Sequence, residues 1–358
     1  MSQLLKRWQL PALAAITVVT VLGAASEAFA QGQNGESSKY TLEMVGGGPL
    51  ATQNDRSEAR NGRYLLEVWR GGTNNTVWMS LDNGTPFQIG TTATNVAPAV
   101  VASGTDGFLV FHTGTDGNIY YTGVFIDGSN YEQWFSVPEQ TTQMPVSVAQ
   151  IGLGSTDVYM VYRGYGNDTR VWGTWFDAFE GDWSQAENIN GGQANSAPTI
   201  SLVPELPATA ENPIPYADRL VVSAVGTDNN IWTTGQFVGA DSWSPWTPIL
   251  GQATGPNANH NLADNRTVAT GAQVFTAVNI NTNGSQTLVM SVLDSNNNPE
   301  YTTFDLGMPQ LSESSNWTVD LSGFQANETP ELTSNGNSTY SLITGLDDLA
   351  YWKQEFHE

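Results

Sequence analysis

The chain contains no cysteine, three histidines, and only 12 lysine and arginine residues against 35 aspartate and glutamate residues. Without cysteine, disulfide bonds and thiolate metal sites are excluded, so the stability of the fold has to come from packing. The formal net charge of −23 disfavours nucleic acid as a partner, because a strongly acidic surface repels phosphate backbones. The histidines show no spacing typical of a zinc site or a catalytic triad.

Long hydrophobic runs are also missing, except at the start of the chain. Lys6 and Arg7 precede an apolar run over Leu10–Ala25, and Ala28–Ala30 follows as a small-x-small cleavage pattern. The run is shorter than the roughly 20 residues that cross a bilayer, and the alternative is an uncleaved anchor. We therefore predict a signal peptide over residues 1–30, a flexible segment over 31–38 and a single domain over 39–358. The protein is expected to be secreted, to the periplasm or outside the cell, without membrane insertion after cleavage.

A seven-residue pattern, Gly-x-Asp/Asn-x-x-x-aromatic, recurs along the chain, and we term it the turn motif. One of its copies has lost the glycine. The aromatic residues that end its copies are Trp78, Tyr120, Trp172, Trp232, Tyr301 and Tyr351. A β-rich apolar segment precedes each copy, and an aromatic-led stretch follows most of them. Each unit therefore predicts four short strands, with the motif as the turn between the second and third, because Gly, Asn and Asp tolerate a left-handed backbone.

Repeated four-stranded units predict an all-β fold, a six-bladed β-propeller of antiparallel blades. The last unit ends after its third strand, and Tyr40–Met44 matches the missing fourth strand. We therefore expect the N-terminal strand to pair with the segment near Leu349–Phe356 and to close the ring. Six blades are favoured over seven because the insertion at 251–271 is too short to hold a blade. A solenoid is disfavoured because no capping units are found.

Two kinds of segment resemble the repeats of known propellers. Gly114–Tyr120 and Gly226–Trp232 look like the turn motif of bacterial and fungal β-propeller lectins, both tectonin-like and fucose-binding. Ser242–Gly251 is similar to the tryptophan-rich strand that ends each blade in those families. The resemblance implies sugar pockets between neighbouring blades, often without catalysis. The units of this chain differ from one another, so only a subset of the pockets is expected to bind.

Sugar recognition needs flat apolar faces and convergent polar groups. The aromatic residues of the turn motif keep a regular register and are predicted to be core. Aromatic residues that break this register are the predicted carbohydrate-binding residues: Tyr121, Trp175, Trp243 and Trp352. The tryptophans that lead the fourth strands can either pack between blades or line a pocket; they are Trp134, Trp183, Trp246 and Trp317.

These observations predict a secreted carbohydrate-binding β-propeller without catalysis, whose partners are glycans or polysaccharides. A sialidase-like or other propeller glycoside hydrolase is one alternative, although the chain has no Ser-x-Asp-x-Gly-x-Thr-Trp turn of the sialidase type. A non-catalytic cell-surface or matrix structural protein is the other. No cofactor is expected. Calcium is unsupported, because Asp294–Asn298 and Asp347–Asp348 match no complete calcium loop.

Overall fold

The computed structural model describes residues 40–45, 51–71, 74–82, 84–127, 133–205, 217–249, 251–254, 273–280, 286–293, 299–305, 315–319, 329, 331–334, 339–344 and 351–356. Within these ranges the chain forms strands, turns and bends but no helix. All of them belong to one compact unit, Lys39–Glu358. No helix of the described residues is long and apolar enough to cross a membrane. The predicted signal peptide and the 31–38 segment lie outside the described residues.

Hydrogen bonding groups the strands into six sheets, which we number along the chain. The first strand, β1 (Tyr40–Val45), belongs to sheet 6. Sheet 1 contains β2 (Ala51–Asn61), β3 (Tyr64–Gly71), β4 (Thr76–Leu81) and β5 (Phe87–Ala93). Sheet 2 contains β6 (Ala99–Ser103), β7 (Gly107–Thr113), β8 (Asn118–Phe125) and β9 (Phe135–Thr141). Sheet 3 contains β10 (Ser147–Gln150), β11 (Val158–Arg163), β12 (Arg170–Asp177), β13 (Asp182–Trp183) and β14 (Glu187–Gln193).

Sheets 4 to 6 complete the chain. Sheet 4 contains β15 (Thr199–Val203), β16 (Arg219–Val225), β17 (Ile231–Phe237) and β18 (Thr247–Pro248). Sheet 5 contains β19 (Gly251–Thr254), β20 (Phe275–Ile280), β21 (Gln286–Leu293), β22 (Pro299–Asp305) and β23 (Ser315–Val319). Sheet 6 contains β24 (Glu331–Ser334), β25 (Thr339–Thr344), β26 (Tyr351–Phe356) and β1. The pairings are antiparallel, except that β19 runs parallel to β23.

The core lies between consecutive sheets. Met160 of β11 packs in a cluster shared with sheet 2, whereas the next residue, Val161, packs in a cluster shared with sheet 4. Sheets 1 and 2, 4 and 5, and 5 and 6 share clusters of the same kind. Because both faces of these sheets are buried, their central strands are mostly apolar rather than alternating, as in Val158–Tyr162 of β11.

The innermost strands of the sheets surround a common centre. Each of β2, β6, β10, β15 and β20 contacts the next inner strand, and the last one, β24, contacts β2. Residues of these six strands line a central cavity of about 300 Å³. Four-stranded antiparallel units that radiate from one centre form a β-propeller, as the repeat predicts.

The turn motif lies where it is predicted, between the second and third strands, and its aspartate organises it. Asp228 accepts hydrogen bonds from the backbone N–H of Asn230 at 3.1 Å and from the indole N–H of Trp232 at 3.0 Å. Asp116 holds the amide of Asn118 and the hydroxyl of Tyr120 in the same way, at 3.0 and 2.7 Å. The carboxylate therefore fixes the turn and the ring that begins the third strand.

The glycine of the motif has the predicted role in only one of the described copies. At Gly166 the motif glycine has the predicted left-handed backbone, with φ of 62°, but Gly114 and Gly226 do not. In three copies a left-handed residue follows the Asp or Asn, at Asn75, Gly117 and Asn229, with φ of 56°, 84° and 59°. Gly226 instead lies under the indole ring, where an added Cβ would be 2.7 Å from Trp232 Cδ1. It is the close approach of the ring, not the backbone angle, that requires glycine at this position.

The aromatic residues of the motif are only partly core, contrary to the prediction. Tyr301 is 2% exposed, but the other four whose side chains are described are half-buried: Trp78, Tyr120, Trp172 and Trp232. They lie at the end of each sheet, where the ring covers the turn and one edge meets solvent. The regular spacing of these aromatic residues in the sequence therefore reflects their packing on the turn, not burial between sheets.

The N-terminal strand pairs as predicted. β1 is antiparallel to β26, with Tyr40 opposite Phe356 and Val45 opposite Tyr351. It forms the outer edge of sheet 6, whose other strands come from the C-terminal end of the chain. The free edge of β26 is thereby covered by main-chain hydrogen bonds.

Removing β1 should therefore destabilise the whole unit. Deletion of residues 31–45 is expected to lower the Tm by more than about 5 °C, because it exposes the edge of β26 and removes a complete strand pairing. Deletion of residues 31–38, which leaves β1 intact, is the matched control and should not change the Tm. Thermal unfolding followed by circular dichroism measures both. Equal melting of the two variants would contradict a stabilising role for β1.

A second prediction concerns His112, which is fully buried between the ring of Tyr120 and the edge of Trp134. Burial lowers the pKa of His112 from 6.5 to about 4. The folded state disfavours the protonated form, so stability is fully present above pH 6.5 and is lost as the pH falls towards 4. Between about pH 7.5 and 5, His112→Phe should lose about 2 kcal/mol less unfolding free energy than the parent. Parallel pH profiles from urea unfolding would contradict this.

Candidate functional site

Two of the four predicted binding residues lie at one interface. Trp175 is in β12 of sheet 3, and Trp243 lies in the segment that leads into β18 of sheet 4. Tyr121 belongs to β8 and lies at the preceding interface, between sheets 2 and 3. Trp352 is in β26, opposite Met44 of β1, and its side chain lies outside the described residues.

A carboxylate connects the two sheets at the first of these interfaces. Glu187, at the start of β14, accepts a hydrogen bond on Oε1 from the Tyr159 hydroxyl at 2.8 Å. The indole N–H of Trp243 donates to the same oxygen at 3.1 Å. The rings of Tyr159 and Trp243 meet edge to face, with centroids 5.5 Å apart. Since Tyr159 and Glu187 belong to sheet 3 and Trp243 to sheet 4, these contacts hold the sheets in register.

The position of Tyr159 depends on a glycine. Tyr159 lies in β11 and reaches Glu187 in β14 by crossing Gly173 of the intervening strand β12. A Cβ on Gly173 would overlap the Tyr159 hydroxyl and ring. Burial and the charge of Glu187 raise the pKa of Tyr159 well above its usual value, so the hydroxyl remains a donor.

Trp175 extends this group towards solvent. It lies directly opposite Tyr159 in the pairing of β11 with β12, so both side chains are on the face that meets sheet 4. Trp175 is 40% exposed, whereas Trp243 is 7% exposed. We call Tyr159, Trp175, Glu187 and Trp243 the Glu187 site. It combines an exposed indole, a fixed carboxylate and an aromatic floor.

Sheets 1, 2 and 4 do not repeat this chemistry at the equivalent position. Glu187 pairs with Gly173, and the equivalent pairs in three other sheets are Met79 with Phe87, Tyr121 with Phe135, and Thr233 with Thr247. None of these pairs contains a carboxylate. Among the sheets compared here, the acidic side chain is therefore found only in sheet 3.

The equivalent place between sheets 2 and 3 is filled by aromatic rings. Tyr121 lies 5.5 Å from both Phe176 and Trp183, 5.8 Å from Phe135 and 6.0 Å from Phe111, measured between ring centroids. Burial raises the pKa of Tyr121. This interface is a packed cluster in which only Phe135, 43% exposed, offers a large open face.

The tryptophans that lead the fourth strands pack between sheets. Trp134 donates its indole N–H to the carbonyl of Ile89 at 3.3 Å, and Trp246 donates to that of Ile189 at 2.8 Å. Each bond joins the outer strand of one sheet to that of the preceding sheet. Trp183 packs in the aromatic cluster between sheets 2 and 3, and the side chain of Trp317 lies outside the described residues.

Tyr159 and Glu187 were not predicted as site residues. Tyr159 lies within an apolar strand, and Glu187 is one of 35 acidic residues. The sequence signal that could have found Glu187 is an alignment of the two similar segments Trp183–Ile189 and Trp243–Ile249. It places Glu187 where the second segment has Thr247, so the carboxylate stands out as the exception. The contact between Trp243 and this carboxylate is visible only in the structure, because it depends on the packing of sheet 3 against sheet 4.

The geometry offers little for other chemistry. In the part of the chain that the structure describes, no group of three or more histidine, aspartate or glutamate residues could hold a metal ion. Arg170 pairs with Asp168 of its own turn and lowers the pKa of that carboxyl group to about 2. Arg163 donates to the carbonyl of Ala194. Arg219 begins β16, in a different sheet from Arg163 and Arg170. These arginines do not converge on the Glu187 site.

Comparison with known proteins identifies the fold. No family model matches the sequence, and no curated protein matches it. SapL1 lectin, solved with α-methyl fucoside, is 11% identical over 85% of this chain and 92% of that chain, with a TM-score of 0.53. AofleA from Arthrobotrys oligospora is 8% identical over 88% and 86%, also with a TM-score of 0.53. The fold is that of the propeller lectins.

A further propeller lectin agrees. The Aleuria aurantia lectin, described as a six-bladed β-propeller with a novel fucose recognition mode, is 11% identical over 84% of this chain and 91% of that chain, with a TM-score of 0.50. The resemblance to propeller lectins inferred from the turn motif is therefore confirmed for the fold.

The packing of the Glu187 site can be tested through Gly173. Gly173→Ala should reduce the unfolding free energy by about 1–3 kcal/mol, because its Cβ displaces Tyr159 and breaks the bond to Glu187. In a Tyr159→Leu background the same change should cost less than half as much, because the overlapping ring is gone. Urea unfolding of the four proteins measures both costs. An equal cost of Gly173→Ala in both backgrounds would contradict the contact.

Proposed function

We propose that the protein is a secreted carbohydrate-binding β-propeller that does not catalyse a reaction, and that the Glu187 site binds the sugar. One observation carries this proposal: a carboxylate fixed by two aromatic donors lies beside an exposed indole between two sheets. An indole face suits the C–H surface of a sugar, and a fixed carboxylate accepts hydrogen bonds from its hydroxyl groups.

The proposed ring has six blades, one for each sheet, and is closed by β1. The contact of β24 with β2 and the pairing of β1 with β26 support this count. The sheets differ in their outer positions, so the six interfaces are not equivalent. We propose a principal binding site between sheets 3 and 4, with Tyr121 and Trp352 as weaker candidates at other positions.

The alternatives are weaker on physical grounds. A sialidase-type hydrolase needs converging arginines, whereas Arg163, Arg170 and Arg219 lie apart. Other glycoside hydrolases need two carboxylates about 5 to 10 Å apart across a cleft, and Glu187 faces tyrosine and tryptophan instead. A structural surface or matrix protein fits the acidic, exported chain, but it gives no reason for an exposed indole beside a fixed carboxylate.

A glycan array run beside a panel of chromogenic glycosides tests the proposal. We expect binding without turnover and an about tenfold loss of affinity in Trp175→Ala, since an aromatic contact contributes up to about 1.5 kcal/mol beyond the area that it buries. Phe179→Ala is the matched control, because Phe179 is 94% exposed and lies outside the site. Trp243→Ala is less suitable, because the buried ring also stabilises the interface.

Each other outcome selects an alternative. Turnover of a glycoside that is abolished by replacing one acidic residue would indicate a hydrolase. Neither binding on the glycan array nor turnover of the glycosides, together with concentration-dependent assembly in light scattering, would indicate the structural protein. Equal loss of binding in Trp175→Ala and Phe179→Ala would place the sugar elsewhere.

A further inference from the structure

No described positive group neutralises the charge of the Glu187 carboxylate. Its two donors, the Tyr159 hydroxyl and the Trp243 indole, are both uncharged and both bind Oε1. No described residue donates to Oε2, and no described lysine, arginine or histidine pairs with Glu187. Glu187 is an exposed residue, so its carboxylate is within reach of a ligand in solvent.

The described arginines of sheets 3 and 4 lie away from this face of sheet 3. Between residues 133 and 249 the only basic residues are Arg163, Arg170 and Arg219. Arg163 and Arg170 are engaged at the turn-motif end of sheet 3, with the carbonyl of Ala194 and with Asp168. Arg219 lies in register with Val203, which packs towards sheet 5. None of them offers a positive group to a ligand beside Glu187.

The hairpin ends nearest Trp175 add negative charge. In an antiparallel blade, the turn between the first and second strands and the turn between the third and fourth lie at the same end. Hydrogen bonds between neighbouring sheets link such turns, for example from the amide of Gly104 to the carbonyl of Ser155 at 2.9 Å. Acidic residues at this end of sheets 3 and 4 are Asp157, Asp177, Glu180, Asp182, Asp218 and Asp241. A ligand on the Glu187 site therefore meets a field of one sign.

We infer that the Glu187 site takes a cationic amino sugar, a glucosamine-type unit with a free amine, in preference to neutral or acidic sugars. This inference rests on the proposed sugar site. A protonated amine donates charge-assisted hydrogen bonds to Oε2, which are about twice as strong as neutral ones. The sugar ring lies against Trp175, and further units of a polymer extend over the acidic hairpin ends. Uronic and sialic acids are repelled by the same carboxylates.

The test compares a glucosamine hexamer with the N-acetylglucosamine hexamer by calorimetric titration at a pH where the free amines are protonated. We expect the glucosamine hexamer to bind at least tenfold more tightly, and its affinity to fall as salt rises. Glu187→Gln should weaken the glucosamine hexamer about tenfold and the acetylated one less than threefold, because only the first has a charge-assisted bond to lose. The amide oxygen of Gln still accepts from Tyr159 and Trp243, so the variant is expected to fold.

The control is Glu139→Gln, which removes the same charge from an exposed position of sheet 2, away from the Glu187 site and the acidic hairpin ends of sheets 3 and 4. It should change the affinity for the glucosamine hexamer less than threefold. Equal effects of the two variants, or tighter binding of the acetylated hexamer, would overturn the inference. Binding of neutral glycans on the array without binding of the glucosamine hexamer would also overturn it, while the proposed function would stand. Absence of all sugar binding would overturn both.

Discussion

Burial of both faces of each sheet between its neighbours is the constraint on which the rest of the structure depends. The chain has no disulfide, so its sheets are held by apolar clusters that each span two of them. Val161 can pack against sheet 4 only if Met160 packs against sheet 2, so one sheet cannot be stable without the next. Hydrophobic packing is non-directional and does not by itself fix how two sheets are aligned. The hydrogen bonds of Trp134 and Trp246 to the preceding sheets supply that alignment.

The Glu187 site is an exception within this apolar scheme, and its design limits the cost. A carboxylate buried without partners would be expensive, but Glu187 remains exposed while its donors Tyr159 and Trp243 form the buried floor. The buried rings of Tyr159 and Trp243 fill the interface beneath the carboxylate. Between sheets 2 and 3 the same place is filled by Tyr121 and its ring neighbours, so one architecture supports either packing or a polar site.

Local signals in the sequence were sufficient for the fold. The turn motif depends on residues within a few positions, such as Asp228 with Trp232, and β1 was recognisable because one unit lacked a strand. The site was only partly predictable. Trp175 and Trp243 were found as aromatic residues outside the register, but the bond from Trp243 to Glu187 joins residues 56 positions apart. The close approach of rings to Gly173 and Gly226 was also hidden, because it depends on packing rather than on backbone angle.

The pairing of β1 with β26 also has a consequence for the order of folding. Of the described strands, β1 is the first to be synthesised and its partner β26 is the last. Sheets 1 to 5 can each form from contiguous segments, whereas sheet 6 must wait for a contact between the two ends of the chain. Such a long-range contact is slow to form and leaves a strand edge open in the meantime. Aggregation of the nascent chain is therefore expected to be most damaging before β26 has paired with β1.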